Sequence, residues 1–347
     1  MGMIQIPSKA IEFFKQNLDE IFENGALAEG NWNKKVAEHV CNYTDVKNAT
    51  VTTSNGSGMV ALLQIYNRYF GRKKVLLQSN TMYGVKTMVK SGNCNLIGYI
   101  NCSTSTLMPT IDDVKDAIKF VADTDDLIIL LTHIGGLINP DIEEIASYCK
   151  EKDVVLLEDC AHSYGATHNG KHSGTFGNAG VYSFYSTKAI FTGEGGIVIT
   201  NDNQIGSYLS KFVIYDRFEQ QMDIGINIRQ SEMQALILYA VLQETDEIIS
   251  NKKNIATQFA KVCNEKGIKY LNQDTKVSQG NYYKFILLDE KCDVVNTFAS
   301  IKTKTSPVYD YSLGGSKDVE TSHICLPIWY NQDDEVTQKA IKELQDL

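Results

Sequence analysis

Three short stretches of this 347-residue sequence carry side chains that could do chemistry. Residues 53–58 read TSNGSG, where glycines let a ligand approach the backbone and a following helix would offer unpaired N–H groups to an anion. Asp159 ends an apolar run, and an acid buried there needs a positively charged partner. Lys188 precedes the glycine-rich turn 193–196, and a desolvated lysine can act as a neutral nucleophile. Each stretch also has a structural interpretation: a helix start, a helix-capping acid and a solvated lysine.

The elements around these stretches decide where they lie. From residue 49 to about residue 210, strand-like runs alternate with amphipathic helical patterns. Residues 74–78 and 96–100 are strand-like, and residues 127–131 and 154–158 are the continuous apolar runs typical of buried strands. Residues 181–184 and 197–200 follow as further predicted strands. This alternation predicts an α/β fold with a mostly parallel sheet, in which ligands bind beyond the carboxyl ends of the strands. Asp159 and Lys188 both follow predicted strands, so we expect them to meet at that edge.

The pattern changes after Glu232. Helical stretches, short strands near residues 282–288 and a closing helix from Asp333 predict a smaller α+β unit. We therefore expect a large domain over residues 1–245, including an N-terminal helical segment, and a small C-terminal domain over residues 246–347.

Composition disfavours several classes of function. The formal net charge of -9 disfavours nucleic acid as a partner. The eight cysteines show no metal-ligand or redox spacing, which predicts reduced thiols in a cytoplasmic protein and no metal site. No apolar run approaches the roughly 20 residues that span a bilayer, and residues 1–14 lack a secretory signal pattern, so we expect no membrane association.

The order of the three stretches fits one cofactor, pyridoxal 5′-phosphate (PLP). PLP requires a cup for its phosphate, an acid that keeps its pyridine nitrogen protonated, and a lysine that forms a Schiff base and moves a proton. Here the cup comes first, the acid follows a middle strand as Asp159, and Lys188 follows a later strand. The sequence therefore predicts a PLP-dependent enzyme.

Residues 158–202 resemble the DegT/DnrJ/EryC1/StrS family of PLP-dependent sugar aminotransferases. The family pattern here begins with ED-x-A-[QH]-x-x-GA. It continues with G-K-x-x-G-T-x-G, SF-x-x-x-K and GEGG. This sequence has EDCAHSYGA, GKHSGTFG, SFYSTK and GEGG. NGSGMVAL at residues 55–62 is similar to the family's phosphate motif, and GINIRQSEMQAL at residues 225–236 is similar to a third motif. The resemblance implies PLP fold type I, with a large domain around a mostly parallel sheet and a smaller α+β C-terminal domain.

The resemblance implies a cofactor role for each matched position. Lys188 would be the catalytic residue that carries PLP as a Schiff base, Asp159 would pair with the pyridine nitrogen, and His162 would lie near the ring hydroxyl. Tyr83, or Met82 one residue earlier, would stack on the ring. The remaining implied cofactor contacts are Asn55, Gly56, Ser57, Ala161, Ser183 and Asn227. The last of these would reach the cofactor of a neighbouring subunit, because family members are homodimers with shared active sites.

The implied activity is a transamination in two half-reactions. An amino acid, for which we take L-glutamate, would convert PLP to its pyridoxamine form. A keto sugar, for which we take a nucleotide-linked one, would then receive the amino group in amino-sugar biosynthesis. Among the four arginines, Arg229 and then Arg217 are the candidates for contacting a substrate carboxylate or phosphate. A structural salt bridge is the alternative interpretation of Arg229.

Departures from the family pattern leave other substrates open. Ile228 replaces an aromatic residue of the family, and the loop at residues 306–319 is compact where relatives carry a longer one. A keto cyclitol or another non-nucleotide substrate is therefore an alternative. A PLP-dependent sugar dehydratase would have histidine in place of Lys188, and a non-catalytic regulator would not need both Lys188 and Asp159, so the sequence disfavours these two.

Overall fold

The computed structural model describes residues 5–28, 30–315 and 317–347. The helices in these ranges are α1 (Ser8–Asn24), α2 (Asn31–Thr44), α3 (Asn55–Phe70), α4 (Tyr83–Ser91), α5 (Ile111–Lys119), α6 (Ile142–Glu151), α7 (Asn203–Phe212), α8 (Glu232–Leu242), α9 (Thr245–Lys266), α10 (Val294–Thr297), α11 (Asp318–Thr321) and α12 (Asp334–Gln345). The strands are β1 (Asn48–Thr52), β2 (Lys74–Gln78), β3 (Asn95–Ile100), β4 (Leu127–Thr132), β5 (Val155–Cys160), β6 (Thr167–His168), β7 (Lys171–His172), β8 (Ala179–Ser183), β9 (Gly196–Thr200), β10 (Ser278–Gln279), β11 (Phe285–Leu288) and β12 (His323–Leu326).

Seven strands form one sheet in the order β1-β9-β8-β5-β4-β2-β3. β9 pairs antiparallel with β1 and β8, whereas the other neighbouring strands are parallel. The predicted α/β fold with a mostly parallel sheet is confirmed. Two small sheets, β10-β6-β7 and β11-β12, lie outside this large one.

Both faces of the large sheet are covered. Ile128 and Leu130 of β4 pack in one apolar cluster with α3, while Ile129 and Leu131 pack in another with α5 and α6. Successive side chains of a strand point to opposite faces. An unbroken apolar run such as LIILL therefore reports a strand that is buried on both sides.

The chain after α8 builds a further apolar core. Ile255 and Phe259 of α9 and Leu344 of α12 belong to a cluster that also includes side chains of β11 and β12. The predicted domain division between residues 245 and 246 falls at the start of α9 and stays a prediction. Within the described ranges, no helix has the length and apolar character that crossing a membrane requires.

One edge of the large sheet collects the residues that the sequence singled out. β4, β5 and β8 run in the same direction, so their carboxyl ends at Thr132, Cys160 and Ser183 lie together. β1 runs in the same direction as β8, because β9 lies between them and is antiparallel to both. Helix α3 therefore starts at this same edge, as expected for a ligand-binding crevice.

Candidate active site

Two adjacent acids at the end of β5 have different surroundings. Glu158 accepts hydrogen bonds from His133 Nε2 (2.9 Å) and from the backbone N–H groups of Gly174 (2.8 Å), Phe176 (2.8 Å) and Gly177 (2.6 Å). Its carboxylate is thus fully used in fixing the loop after β7. His133 Nδ1 accepts from the Asn139 N–H (3.1 Å), so its Nε2 carries the proton that Glu158 receives.

Asp159 is buried and projects to the other face of the strand. Its Oδ1 accepts from Asn55 Nδ2 (3.0 Å) and from the Ala161 N–H (3.1 Å), and its Oδ2 from Thr132 Oγ1 at 3.4 Å. Burial raises the pKa of this carboxyl, and the hydrogen bonds together with the charge of Lys188 oppose that rise. A cation placed against Oδ2 would therefore be strongly favoured.

The N-terminus of α3 is built as an anion cradle. Ser54 caps the helix by accepting from the Ser57 N–H, while Ser57 Oγ accepts from the Ser54 N–H (both 3.1 Å). Gly196 of β9 passes so close that a Cβ atom there would overlap the carbonyl carbon of Ser54. Only glycine at that position lets the turn and the helix start meet, which leaves the first N–H groups of α3, including that of Gly56, directed at the crevice.

Asn55 joins this cradle to the acid. Its side-chain amide donates to Asp159 (3.0 Å) and to the Val181 carbonyl (2.8 Å), so it fixes the acid against β8. Ser183 ends β8 beside the cradle, buried, and its hydroxyl accepts from the Tyr185 N–H at 3.4 Å. The three predicted phosphate-side positions Gly56, Ser57 and Ser183 thus lie on neighbouring elements.

Lys188 lies on the loop between β8 and β9. The loop is held by the Ser186 N–H, which donates to the Gly193 carbonyl (3.0 Å), and by the Lys188 N–H, which donates to the Tyr185 carbonyl (2.9 Å). Burial lowers the pKa of Lys188 to about 8; the charge of Asp159 acts against this and that of Lys284 adds to it. The lysine therefore supplies a substantial neutral fraction near neutral pH.

His162 completes the crevice opposite Lys188. Its Nε2 lies 3.3 Å from the Tyr309 hydroxyl, and its ring centre lies 4.5 Å from that of Tyr283. Burial holds the pKa of His162 well below its usual range, so the ring is neutral. Its Nδ1 is buried without a hydrogen-bond partner among the described residues, which points to a polar ligand in the crevice. Ala161, the preceding residue, is half-buried at the same place.

Sequence reasoning missed the wall that the C-terminal third of the chain contributes. Tyr283 lies under Lys188, with Nζ at 5.3 Å from its ring centre, and Tyr309 faces His162. Asn281 Nδ2 donates to the His162 and Tyr164 carbonyls (both 2.9 Å) and so fastens this wall to the loop after β5. These residues belong to no motif; a polar cluster directly before β11 is the only sequence signal for them.

The two candidates for stacking on a cofactor ring lie at the start of α4. Tyr83 is 57% exposed, and its N–H donates to the Tyr311 hydroxyl (2.7 Å). The Met82 backbone lies within hydrogen-bond distance of Tyr309, which itself faces His162. Both residues border the crevice, and which of them would stack stays open.

The structure does not bring Asn227, Arg229 or Arg217 to Lys188 within one chain. Asn227 is exposed on a loop whose next residue, Ile228, accepts a hydrogen bond from the Thr53 N–H (2.7 Å) beside the cradle. Arg229 lines a separate cavity of about 490 Å³ between α2 and β1. Arg217 is exposed, with its guanidinium 4.7 Å from the Phe218 ring centre. Their substrate and cofactor roles stay predictions.

His133, Glu158 and Cys160 form a buried group of side chains that could be mistaken for a metal site. Their potential ligand atoms lie within 4.8 Å of one another. The Glu158 oxygens, however, are taken by three backbone N–H groups and by His133. This group is a hydrogen-bonded part of the core.

The residues of the crevice fit PLP. Asp159 offers a buried carboxylate for a pyridinium, His162 Nδ1 has an unused polar atom, and Lys188 offers an amine that burial makes partly neutral. The start of α3 suits a phosphate.

Comparison with known proteins assigns this arrangement to a family. The sequence model of the DegT/DnrJ/EryC1/StrS aminotransferase family matches residues 8–345. The chain belongs to this family. The predicted resemblance and the enzyme class of aminotransferase are thereby confirmed, and family members are PLP-dependent.

Individual relatives of this DegT-family chain are distant in sequence. GDP-perosamine synthase of Escherichia coli O157:H7 is 26% identical over 314 residues, which cover 88% of this chain and 82% of that protein. A putative L-glutamine:3-amino-2,3-dideoxy-scyllo-inosose aminotransferase of Micromonospora echinospora is 30% identical over 166 residues, covering 46% and 39% of the two chains. The crystal structure of a DegT DnrJ EryC1 StrS aminotransferase from Brucella abortus superposes with a TM-score of 0.83 at 17% identity, covering 100% of this chain and 99% of that one.

Proposed function

We propose that this protein is a PLP-dependent aminotransferase that moves an amino group from L-glutamate to a nucleotide-linked keto sugar in amino-sugar biosynthesis. One observation carries the proposal: Lys188, Asp159, the unpartnered Nδ1 of His162 and the start of α3 converge on one crevice. The named relative GDP-perosamine synthase supports a sugar acceptor.

The chain's own residues divide the work of binding and proton transfer. When bound, PLP supplies an electron sink at its protonated ring. The N–H groups at the start of α3, with Ser57 and Ser183, would hold the phosphate, and Asp159 would keep a proton on the ring nitrogen. Lys188 Nζ would attach the cofactor and then move a proton as general base and acid.

The proposal includes a homodimer with shared active sites. Asn227 supports it, because this side chain is exposed on a loop that adjoins the cradle and has room to reach a second chain. We propose the cytoplasm as the location, in keeping with eight free cysteines.

The test starts with the purified protein and added PLP. We expect an absorption band of lysine-bound cofactor, and borohydride reduction followed by peptide mapping should place the cofactor on Lys188. Mass spectrometry of a panel of nucleotide-linked keto sugars with L-glutamate should then show one aminated product. A protein that binds no PLP, or that carries it on another lysine, would overturn the proposal.

A keto cyclitol is the second candidate acceptor. The putative L-glutamine:3-amino-2,3-dideoxy-scyllo-inosose aminotransferase of Micromonospora echinospora favours it, as does the short segment at residues 306–319 of the sequence. The same assay separates the two: amination of scyllo-inosose with no amination of any nucleotide-linked sugar would select the cyclitol.

A further inference from the structure

A second cationic cluster lies beside Lys188, on the C-terminal wall of the crevice. Lys252 of α9 is only 3% exposed, and it lines a cavity of about 200 Å³ together with Lys188, Tyr283 and Lys284. The rest of the lining is largely apolar, and includes Trp329. The cavity therefore combines two additional ammonium groups with an apolar surface, next to the reactive amine.

Neither of these two lysines has an acid to neutralise it. Among the described residues, no carboxylate lies within ion-pair distance of Lys252 or Lys284. Two nearby lysines are different: Lys253, the next residue of α9, pairs with Asp274 at 2.6 Å, and Lys269 pairs with Glu290 at 3.6 Å. Lys252 thus differs from the neighbouring Lys253 in being buried without a counter-charge.

The electrostatics of the cluster call for an anion. Burial lowers the pKa of Lys252 to about 7, and the charge of Lys284 adds to this. The same Lys284 charge also lowers the pKa of Lys188 and of His162, which places it between α9 and the crevice. Burying an ammonium without a counter-charge is costly, whereas a bound anion would stabilise the charged form of each lysine.

The size of the cavity limits the anion. About 200 Å³ is less than the roughly 300–1,000 Å³ of pockets that take drug-sized ligands, so a nucleotide diphosphate is too large. A short aliphatic chain with an anionic group at each end fits both the two ammonium groups and the apolar lining. An amino acid with two carboxylates has this form.

We propose that Lys252 and Lys284 are a carboxylate-binding pair that selects a dicarboxylic amino acid as the amino donor. The proposal rests on the proposed function, because it places the donor's amino group toward Lys188. Each lysine takes one carboxylate, and the chain between the carboxylates packs against the apolar lining near Trp329. A donor with an amide in place of the second carboxylate leaves one lysine without a counter-charge and binds more weakly.

Calorimetry of the PLP-loaded protein with glutarate and butyrate tests the pair without any turnover. Glutarate has two carboxylates and butyrate has one, and neither can react. We expect glutarate to bind at least about tenfold more tightly, since its second carboxylate adds a charge-assisted contact. Lys252→Met and Lys284→Met should each remove this preference, whereas Lys253→Met, which removes a half-buried lysine paired with Asp274, should keep it.

Three outcomes overturn the proposal. The first is glutarate affinity that is unchanged in both variants. The second is no preference for glutarate in the wild type. The third is binding of inorganic pyrophosphate to the wild type but to neither variant, with no binding of glutarate, which would show that the lysines bind a phosphate-type anion instead of two carboxylates. Thermal unfolding of each variant shows that it is folded, and Lys252→Gln and Lys284→Gln replace any methionine variant that is not.

A parallel experiment separates failure of the pair from failure of the proposed function. The cofactor spectrum is followed after adding L-glutamate, L-glutamine or L-alanine. No cofactor band in the wild type would refute the proposed function, while the same glutarate and butyrate titrations of the PLP-free protein would still test the pair. A normal band, with wild-type preference for glutamate retained in Lys252→Met and Lys284→Met, would refute the pair alone.

Discussion

The two walls of the crevice differ in how their charges are compensated. On the sheet wall, Asp159 receives three hydrogen bonds and faces Lys188, and its neighbour Glu158 receives four. On the C-terminal wall, Lys252 and Lys284 have no carboxylate partner among the described residues. The acids of the sheet wall are therefore held in place by protein groups, whereas the lysines of the C-terminal wall lack a counter-charge from the described residues.

This difference indicates what each wall is for. Groups that are held by several protein hydrogen bonds keep one geometry through a reaction, which suits them to a cofactor that stays bound. Groups that lack a partner gain most when an anion arrives, which suits them to a substrate that comes and goes. We therefore expect substitutions on the sheet wall to change the chemistry and those on the C-terminal wall to change selection.

The largest effect is expected at Lys188. Lys188→Ala removes both the attachment point and the group that moves the proton, and general acid–base transfer alone contributes about 10²–10⁴-fold. We expect the rate of donor conversion to fall by more than about 10³-fold in a stopped-flow spectroscopic assay, with PLP still bound but released on dialysis. An unchanged circular dichroism spectrum is the control, and retention of a tenth of the activity would contradict the assigned role.

The second largest effect contrasts the two adjacent acids. Asp159→Asn removes the negative charge that would face the ring nitrogen of PLP. We expect the rate of donor conversion to fall about 10²–10³-fold, the usual loss when an enzyme active site loses one preorganised electrostatic contact. Glu158→Gln should instead lower the free energy of unfolding by about 1–3 kcal/mol, because a buried hydrogen-bond partner is mispaired.

Activity per folded molecule and urea denaturation measure the two effects separately. Matched losses of activity in Asp159→Asn and Glu158→Gln, or matched losses of stability, would show that the two acids are not divided between chemistry and folding.

The sheet wall could be predicted from the sequence because its residues follow strands. A strand's end fixes where the next residues lie, so the predicted strands place Asp159 and Lys188 at one edge, and the family motifs then imply their roles. The parallel order of β4, β5 and β8 confirms that reasoning.

The C-terminal wall could not be predicted in the same way. Lys252 is buried within an ordinary amphipathic helix, where its neighbour Lys253 is only half-buried and ion-paired, and the sequence does not distinguish the two. Tyr283 and Lys284 reach the crevice through tertiary packing of a loop before β11, which no local pattern encodes. For the same reason the sequence favoured Arg229 for an anion, whereas the structure puts this residue in another cavity.

A smaller effect concerns how the free energy of unfolding depends on pH. The pKa of Lys252 is lowered to about 7 and that of Lys188 to about 8, both from about 10.5. Between these values and 10.5 the unfolded chain binds more protons than the folded one, so these lysines make the free energy of unfolding rise with pH. Below about pH 7 both lysines are charged in the folded protein, and they lower the free energy of unfolding by their full amount. Lys284 faces both lysines, and Asp159 faces Lys188.

Urea denaturation of the PLP-free protein from pH 7 to pH 9 measures this slope. Lys252→Met should be more stable than Lys253→Met at pH 7, by an amount that shrinks as the pH rises, since each pKa unit corresponds to about 1.4 kcal/mol. Other titrating groups are common to the two variants, so their contributions cancel in the difference. A constant difference in stability across this pH range would show that the charge of Lys252 is not buried without a counter-charge.

The smallest effect is expected at His162, where the two walls touch. Its Nε2 faces Tyr309 of the C-terminal wall, while its buried Nδ1 has no hydrogen-bond partner among the described residues. The family pattern accepts Gln at this position, and a glutamine amide can serve both sides. We expect His162→Gln to lower the rate of donor conversion less than about tenfold, and His162→Ala to lower it more, because a buried polar partner is lost outright. Because burial keeps the ring neutral, His162 should not titrate between pH 6 and pH 7, and the wild type and His162→Gln should show the same pH dependence of activity over this range. A titration that is present in the wild type and lost in His162→Gln would show that this histidine carries a proton in the reaction.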